Sequence, residues 1–152
     1  MGEYNEINDF KEVLFTREQI ADMTKSLGKK ITQDFGEKDL MVMGLLKGSI
    51  VFMADLLREI KLPCVLDFMA VSSYGNGTES QGRVQILKDI SESVLGKDVL
   101  IVEDIIDSGV TLNFIVNHLK NKGAKSVTLC TLINKPERRK KEVDVKYIGA
   151  DI

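Results

Sequence analysis

The chain of 152 residues has a hydrophobic content of 43% and a charged content of 29%, which is typical of a globular protein with its own core. Its formal net charge of −2 provides no overall positive field, which argues against nucleic acid and membrane surfaces as partners. The acidic N-terminus lacks the features of a signal peptide, and no apolar run is long enough to span a bilayer. We therefore expect a single cytoplasmic domain over residues 1–152.

The first predicted element is an amphipathic helix. Thr16-Arg17-Glu18-Gln19 has the pattern of a capping box, and Gly36 suits the end of a helix. Between them, apolar residues recur at helical spacing and form one stripe: Ile20, Met23, Leu27, Ile31 and Phe35. The continuous apolar run 40–46 then predicts a strand that is buried on both faces of a parallel sheet.

The next elements continue a strand–helix–strand unit. Lys47-Gly48-Ser49 predicts a turn, and residues 50–57 predict a helix that is apolar nearly all round. Residues 65–73 predict a second apolar strand, and residues 83–87 predict a short one. Between these strands the glycine-rich segment 74–82 is compatible either with a disordered hairpin tip or with a lid that excludes water during a reaction.

The second half of the chain begins with an apolar strand that runs into the acidic motif at residues 98–111. A helix follows and ends before Gly123, and residues 127–133 predict another strand. We interpret the mixed-charge run 137–142 as a solvated turn, and the alternation over residues 143–147 as a last strand. This order of elements predicts an α/β domain whose sheet is mainly parallel.

The acidic motif has the composition of a site for a phosphorylated sugar. Ser108-Gly109-Val110-Thr111 begins a helix, where unpaired amides and hydroxyl groups can bind a phosphate, although Ser108 could equally be an ordinary N-cap. The adjacent acids Glu103 and Asp104 could bind sugar hydroxyls and a magnesium ion, or the acids could merely cap a loop. Asp107 stands between these parts and could exchange a proton with a group bonded to the sugar.

Polar residues also follow two other predicted strands, namely Lys47-Gly48 and Lys135. Because ligands bind at the carboxyl ends of parallel strands, we expect these residues to join the acidic motif at one edge of the sheet. The glycine spacings fit neither a P-loop nor a dinucleotide-binding turn. Cys64 and Cys130 lack metal-ligand spacing and are expected to be buried free thiols, and His118, the sole histidine, receives no catalytic role.

Four motifs resemble those of a known family. Val102-Glu103-Asp104-Ile105-Ile106-Asp107-Ser108-Gly109-Val110-Thr111 resembles the phosphoribosyl-pyrophosphate (PRPP) signature of type I phosphoribosyltransferases. Leu46-Lys47-Gly48-Ser49, Ser72-Ser73-Tyr74-Gly75 and Ile133-Asn134-Lys135-Pro136 narrow the resemblance to the hypoxanthine-guanine branch in its bacterial form. The resemblance implies a mainly parallel twisted sheet flanked by helices, with a flexible loop and an incomplete hood. It further implies an enzyme of the glycosyltransferase class that acts in purine salvage and converts PRPP and hypoxanthine or guanine into IMP or GMP and pyrophosphate.

The resemblance also implies roles for the residues around the sugar. Lys47 and Gly48 would bind pyrophosphate, and the Leu46–Lys47 peptide bond would be cis although no proline follows it. Glu103 and Asp104 would hold the ribose hydroxyls and Mg²⁺, the cofactor of the family. The family is commonly dimeric or tetrameric, which implies a homodimer or homotetramer.

Other roles implied by the resemblance concern the phosphate, the base and the loop. The residues Ser108 to Thr111 would hold the 5′-phosphate, and Asp107 would handle the proton at N7 of the purine. Lys135 would hydrogen-bond the 6-oxo group, which would select hypoxanthine and guanine over adenine. Ser73 and Tyr74 would lie on the closing loop.

One departure from the family pattern concerns the end of the sequence, Tyr147-Ile148-Gly149-Ala150-Asp151-Ile152. Family members continue with a segment that carries an aromatic residue for base stacking, an aspartate for magnesium and an arginine near pyrophosphate. We therefore expect the phosphate contacts of this chain to persist while its base affinity and turnover are reduced.

Two alternatives remain open at the level of sequence. A PRPP-sensing regulator can have the same fold, but it usually needs a basic surface or an added DNA-binding domain, and the net charge here is −2. The other alternative is a phosphoribosyltransferase for another base, such as orotate, uracil or adenine. Lys135 opposite a 6-oxo group argues against adenine.

Overall fold

The computed structural model describes residues 12–74 and 83–152, in which strands and helices alternate along most of the chain. In chain order the elements are α1 (Arg17–Phe35), β1 (Leu40–Leu45), α2 (Ile50–Glu59), β2 (Val65–Tyr74), β3 (Arg83–Lys88), β4 (Asp98–Ile106), α3 (Val110–Asn121), β5 (Ser126–Asn134), a short 3-10 turn (Pro136–Arg138) and β6 (Val145–Asp151). The glycine-rich segment, for which hairpin tip and lid were the alternatives, lies outside the described residues except for Tyr74.

The strands form one sheet in the order β3-β2-β1-β4-β5-β6. Neighbouring strands are parallel except for β2 and β3, which are antiparallel. The prediction of a mainly parallel sheet flanked by helices is therefore confirmed. The described residues leave untested the prediction that residues 1–152 form a single domain.

Two hydrophobic clusters cover the two faces of the sheet. Because successive side chains of a strand point to opposite faces, Leu40 and Val42 of β1 pack beneath α1 and α2, whereas Met41 and Met43 pack beneath α3. All six residues of β1 are buried, as expected for a strand covered by helices on both sides. Burial on both faces fixes the position of β1 at the centre of the molecule.

Helix α1 begins as the sequence predicts. The Thr16 hydroxyl oxygen accepts a hydrogen bond from the Gln19 amide at 3.1 Å, and the Gln19 side chain accepts one from the Thr16 amide at 2.8 Å. This reciprocal pair is a complete capping box. The helix ends at Gly36, whose φ of +46° a residue with a side chain rarely adopts.

The burial of α2 and the bounds of β6 could not be read from their sequence patterns. Helix α2 is apolar in sequence, but only one side of it is buried, and Val51 remains 71% exposed because the helix lies on the outside of the sheet. Strand β6 begins at Val145 rather than at Val143 and extends to Asp151. Its bounds follow its pairing with β5, which starts at Leu129 opposite Val145, rather than the alternation of its side chains.

The prediction of two buried free thiols is confirmed for one cysteine and holds in part for the other. Cys130 is a buried free thiol, and Cys64 is a free thiol that is half-buried.

Along the stretches 12–74 and 83–152, no helix combines the length and apolar character needed to cross a membrane.

Candidate active site

A pocket of about 310 Å³ opens at the carboxyl ends of β1 and β4. These two parallel strands are neighbours, and the chain continues from β1 to one side of the sheet and from β4 to the other. Such a switch in direction leaves a crevice between the connecting segments, where α/β proteins commonly bind ligands. The lining residues are Leu45, Leu46, Gly48, Val71, Ser73, Glu103, Asp104, Ile105, Ile106, Asp107, Ser108, Gly109, Thr111 and Leu112.

The pocket brings together most of the residues that the sequence singled out. Those on its wall are Gly48, Ser73, Glu103, Asp104, Asp107, Ser108, Gly109 and Thr111. Lys47, Val110 and Lys135 are not among the lining residues, and the side chain of Tyr74 lies outside the described part of the structure. The two lysines nevertheless adjoin the wall through the chain, since Lys47 precedes Gly48 and the Lys135 amide donates to the Ile106 carbonyl at 2.9 Å.

The turn after β1 approaches the acidic motif closely. The Leu46–Lys47 peptide bond is cis, as the family resemblance implied. A Cβ atom placed on Gly48 would lie 3.4 Å from the Asp104 carboxylate, so this turn and the end of β4 face each other across a narrow gap. Lys47 is exposed beside this gap, where its ammonium group is available to an anion.

Three carboxylates lie along the pocket wall, and each accepts a hydrogen bond from the backbone amide that follows it. Glu103 accepts from the Asp104 amide at 3.2 Å, Asp104 accepts from the Ile105 amide at 2.9 Å, and Asp107 accepts from the Ser108 amide. These local bonds hold the side chains at the rim of the sheet. The orientation of the acids is therefore set before any ligand binds.

The electrostatic environment of Glu103 and Asp104 favours the binding of a cation. Burial, together with the negative charge of Asp104, raises the pKa of the Glu103 carboxyl group to about 8. The raised pKa means that Glu103 retains its proton at neutral pH beside the charged Asp104, and a positive group placed between the two acids favours the ionised form of Glu103.

Helix α3 begins at the far side of the pocket. Its N-cap is Gly109, with φ of +77°, and the Ser108 hydroxyl oxygen accepts from the Val110 amide at 3.4 Å. Ser108 is therefore not the N-cap that the sequence allowed as an alternative. The first amides of a helix lack acceptors within the helix and carry the positive end of its dipole, so this wall suits an anion.

Residues 139–141 brace this loop from outside. The run 137–142 is exposed except for Arg139, as expected of a solvated turn, and its contacts with the loop are an addition to that prediction. The amides of Lys140 and Lys141 donate to the Ser108 carbonyl at 2.8 and 3.1 Å. The Arg139 guanidinium donates to the Asp107 carbonyl at 2.8 Å. The sequence pattern could not single out Arg139 among the charged residues of this run, because the carbonyl groups that accept from it belong to a distant segment of the chain.

Thr131 is a second contributor that the sequence reasoning missed. It is fully buried in β5, and its hydroxyl group is shared between the carbonyls of Asp104 at 3.2 Å and Ile133 at 2.9 Å. The bond to Asp104 ties the acidic end of β4 to its neighbour. A polar residue in the middle of an apolar strand was the available signal.

The donor set fits a magnesium ion that is shared with a phosphorylated ligand. Within residues 12–74 and 83–152, no three side chains of His, Cys, Asp or Glu converge as a metal cage. Mg²⁺ does not require one, because it commonly binds one or two carboxylates and completes its shell with phosphate oxygens and water. Glu103 and Asp104 on the pocket wall meet that requirement.

Comparisons with known proteins agree with this geometry. A family model described as a phosphoribosyl transferase domain matches residues 12–152. The chain is 48% identical over 145 residues to a hypoxanthine-guanine phosphoribosyltransferase from Staphylococcus aureus, covering 95% of this chain and 81% of that protein. The relatives with this name are transferases, so a PRPP-sensing regulator is not favoured.

Solved structures show the same likeness. A crystal structure of a hypoxanthine phosphoribosyltransferase from S. aureus has a TM-score of 0.93 at 48% identity, with 95% of this chain and 79% of that chain covered. A hypoxanthine-guanine phosphoribosyltransferase from Bacillus anthracis, with a HEPES molecule in its active site, has a TM-score of 0.89 at 46% identity, with 93% and 84% covered. Proteins of this type are enzymes of the glycosyltransferase class. The chain therefore belongs to the hypoxanthine-guanine phosphoribosyltransferases, a branch of the wider phosphoribosyl transferase family.

Proposed function

We propose that this chain transfers the 5-phosphoribosyl group of PRPP to hypoxanthine or guanine, forming IMP or GMP and releasing pyrophosphate. The observation that carries the proposal is the meeting of three features in one pocket: the cis turn after β1, the paired acids at the end of β4 and the start of α3. PRPP has a pyrophosphate, a ribose and a 5′-phosphate in a row. Along the pocket wall, these features supply a cationic turn, hydroxyl-binding acids and a helix terminus in the same order.

In this proposal the ligand lies along the wall from Lys47 to α3. Lys47 and the backbone of Gly48 bind the pyrophosphate, and the residues from Ser108 to Thr111 bind the 5′-phosphate through amides and hydroxyls. Glu103 and Asp104 accept hydrogen bonds from the ribose hydroxyls. Both acids also stabilise the positive charge that develops on the ribose ring as the bond to pyrophosphate breaks.

Glu103 and Asp104 are also the residues that would hold Mg²⁺, the cofactor that we assign to the reaction. When bound, the ion neutralises negative charge on the pyrophosphate as it leaves. The chain itself supplies Lys47, whose exposed ammonium group acts on the same leaving group.

The base lies beyond the ribose, between Asp107 and Lys135. Asp107 is exposed at the pocket rim, where its carboxylate can accept or donate the proton at N7 of the purine. The Lys135 ammonium group donates to the 6-oxo oxygen, which hypoxanthine and guanine have. Adenine has a 6-amino group at that position, which is itself a donor, so the amino group and the Lys135 ammonium would face each other without an acceptor.

Further expectations concern the closing segment, the cellular location, the oligomeric state and the partners. Ser73 lies on the pocket wall at the end of β2, and we assign it with Tyr74 to the segment that closes over the ligand and excludes water. We also propose that the protein works in the cytoplasm as a homodimer or homotetramer, without nucleic acid or membrane as a partner.

A panel of bases, each supplied with PRPP and Mg²⁺, tests the proposal. We expect nucleotide to form from hypoxanthine and guanine at least tenfold faster than from adenine. The variant Lys135→Gln should lower kcat/KM for hypoxanthine by about 10- to 100-fold, the usual effect of losing one charge-assisted hydrogen bond, while KM for PRPP changes little.

The matched control is Lys125→Gln, because Lys125 is an exposed lysine just before the opposite end of β5. It should retain the selectivity of the unmodified chain. Equal rates with adenine and hypoxanthine, or unchanged selectivity in Lys135→Gln, would contradict the proposed recognition of the base.

A further inference from the structure

The side chain of Arg139 joins the ends of two neighbouring strands beside the pocket. Its guanidinium group donates to the carbonyls of Ile106 at 3.3 Å and Asp107 at 2.8 Å, which end β4 and begin the following loop. The same group donates to the carbonyl of Lys135 at 3.3 Å and to the side-chain oxygen of Asn134, at the end of β5. One side chain thus contacts both segments from which the purine site is built.

Arg139 is itself held in place by a buried partner. Asn134 is 6% exposed, and its amide group donates to the Asp151 carboxylate at 2.8 Å. This bond leaves the amide oxygen of Asn134 directed at Arg139. The guanidinium group is consequently fixed from β6 and β5 before it reaches the end of β4.

Two nitrogens of the guanidinium group share these contacts. Nη1 donates to the three backbone carbonyls, and Nη2 donates to the side chain of Asn134. The planar fork of a guanidinium group presents up to five N–H donors in fixed directions, whereas a lysine ammonium presents three donors from a single point. A single ammonium group can take the place of Nη1 or of Nη2 but not of both, so a lysine here would lose either the bonds to the backbone carbonyls or the bond to Asn134.

We propose that Arg139 is a positioning residue that sets the separation between Asp107 and Lys135, and thereby the fit of the purine base. The inference rests on the proposed function, which assigns these two residues to N7 and to the 6-oxo group. Arg139 acts through the backbone of both residues and touches no substrate atom. The 5′-phosphate loop has a further support that the Arg139 variants retain, because the Ser108 carbonyl accepts from the backbone amides of Lys140 and Lys141.

IMP carries a base and ribose 5-phosphate does not. Comparing their binding therefore separates an effect on the base site from an effect on the 5′-phosphate loop. Dissociation constants for IMP and for ribose 5-phosphate are measured by calorimetry on the unmodified chain and on the variants Arg139→Ala and Arg139→Lys. We expect Arg139→Ala to weaken IMP binding at least tenfold and Arg139→Lys to weaken it by a smaller factor, while ribose 5-phosphate binding changes less than threefold in both. Guanidinium ion at millimolar concentration should partly restore IMP binding to Arg139→Ala, since it can occupy the vacated position.

The control is Arg138→Ala, which removes an exposed arginine adjacent in sequence. It should bind both ligands like the unmodified chain. Equal loss of IMP and ribose 5-phosphate affinity in the Arg139 variants would indicate a general structural role and overturn the inference, as would unchanged IMP affinity. If Arg139→Ala does not fold, Arg139→Lys retains the aliphatic stem and the charge and provides the comparison.

Amide hydrogen exchange provides a readout that does not depend on ligands. We expect the amide of Lys135, which donates to Ile106, to exchange faster in Arg139→Lys than in Arg138→Ala. Equal exchange in the two variants would overturn the inference. Failure of the unmodified chain to bind IMP while it binds ribose 5-phosphate would instead refute the proposed base site, and the exchange rates would still decide the role of Arg139.

Discussion

Gly109 shows how one position can be constrained by two different contacts. Its φ of +77° lies in the left-handed region, and a Cβ atom there would collide with the carbonyl oxygen of Lys141. The sequence places Gly109 at the start of a helix that could bind a phosphate, and it gives no sign of a second contact at this position. The close approach that the structure contains comes from residues 139–141, which are distant in sequence.

We expect Gly109→Ala to lower the free energy of unfolding by about 2 kcal/mol or more, because it adds a backbone collision to the cost of the left-handed conformation. Urea denaturation measures this loss. The matched control is Gly96→Ala, since Gly96 has a similar φ of +73° but a Cβ atom there would meet nothing within 4 Å. Gly96→Ala should cost only about 1 kcal/mol. Equal losses in the two variants would contradict the role assigned to Lys141.

The identity of the acids at the end of β4 was readable from sequence, whereas their environment was not. Carboxylates after a buried strand and hydroxyls before a helix are local patterns, so Glu103 and Asp107 could be proposed directly. The burial that raises the pKa of Glu103 depends on neighbours brought in by folding. Arg139 escaped notice for the same reason, because its acceptors are carbonyl groups up to 33 residues away in the chain.

The connection between β3 and β4 is anchored to α3 by Asp89. Its carboxylate lies 3.0 Å from His118 Nε2 and 2.8 Å from Lys122 Nζ. Burial raises the pKa of the Asp89 carboxyl group, but the hydrogen bonds from Lys122 and His118 outweigh that effect and lower the pKa to about 2. His118 therefore has a structural partner, consistent with its having no assigned catalytic role.

The lowered pKa predicts how stability depends on pH. In the folded chain the carboxyl group has a pKa of about 2, below the reference value of 3.8, so its contribution is present above about pH 4 and is lost as the pH falls towards 2. Asp89→Asn should therefore reduce the free energy of unfolding by about 1 kcal/mol near pH 7, a value limited by the exposure of the ion pair. Urea denaturation between pH 7 and pH 2 measures the difference from the unmodified chain. A difference that stays constant down to pH 2 would be inconsistent with this ion pair.

Helices and strands were predictable from sequence where local residue patterns determine them. The fully buried β1 and the capping box of α1 are specified by apolar runs and by local hydrogen-bonding side chains. The start of β6 and the exposed side of α2 depend instead on which neighbour is present. Strand β6 starts where it meets β5, and Val51 is exposed although its helix is apolar nearly all round.

The candidate active site lies at the carboxyl ends of β1 and β4, where the connecting segments leave for opposite faces of the sheet. Helices α1 and α2 cover one face of the sheet and α3 covers the other, so the central strands β1 and β4 are packed on both sides. Their carboxyl ends open into the pocket that is lined by carboxylates and hydroxyl groups. A rigid base of this kind holds the acids, the cis turn and the start of α3 at fixed separations, which suits an extended phosphorylated substrate.

The fold and the family could be inferred from sequence because the four motifs lie in the expected order along the chain. The contacts that unite them could not, because each joins segments distant in sequence. Gly48 faces Asp104, the Lys135 amide bonds Ile106, and the Ser108 carbonyl is bonded by residues 140 and 141. Local patterns predict the parts of such a site, and the parallel sheet supplies their arrangement.

Nucleotide formation by Asp107→Asn tests the central claim most directly, because asparagine keeps the shape of the side chain but cannot accept the purine proton. We predict that IMP formation from hypoxanthine and PRPP, followed with pyrophosphate release, falls at least 100-fold relative to the unmodified chain. KM for PRPP should change less than threefold, and Asp144→Asn, at an exposed aspartate just before β6, should behave like the unmodified chain. Unimpaired turnover in Asp107→Asn, or no IMP formation by the unmodified chain, would contradict the account.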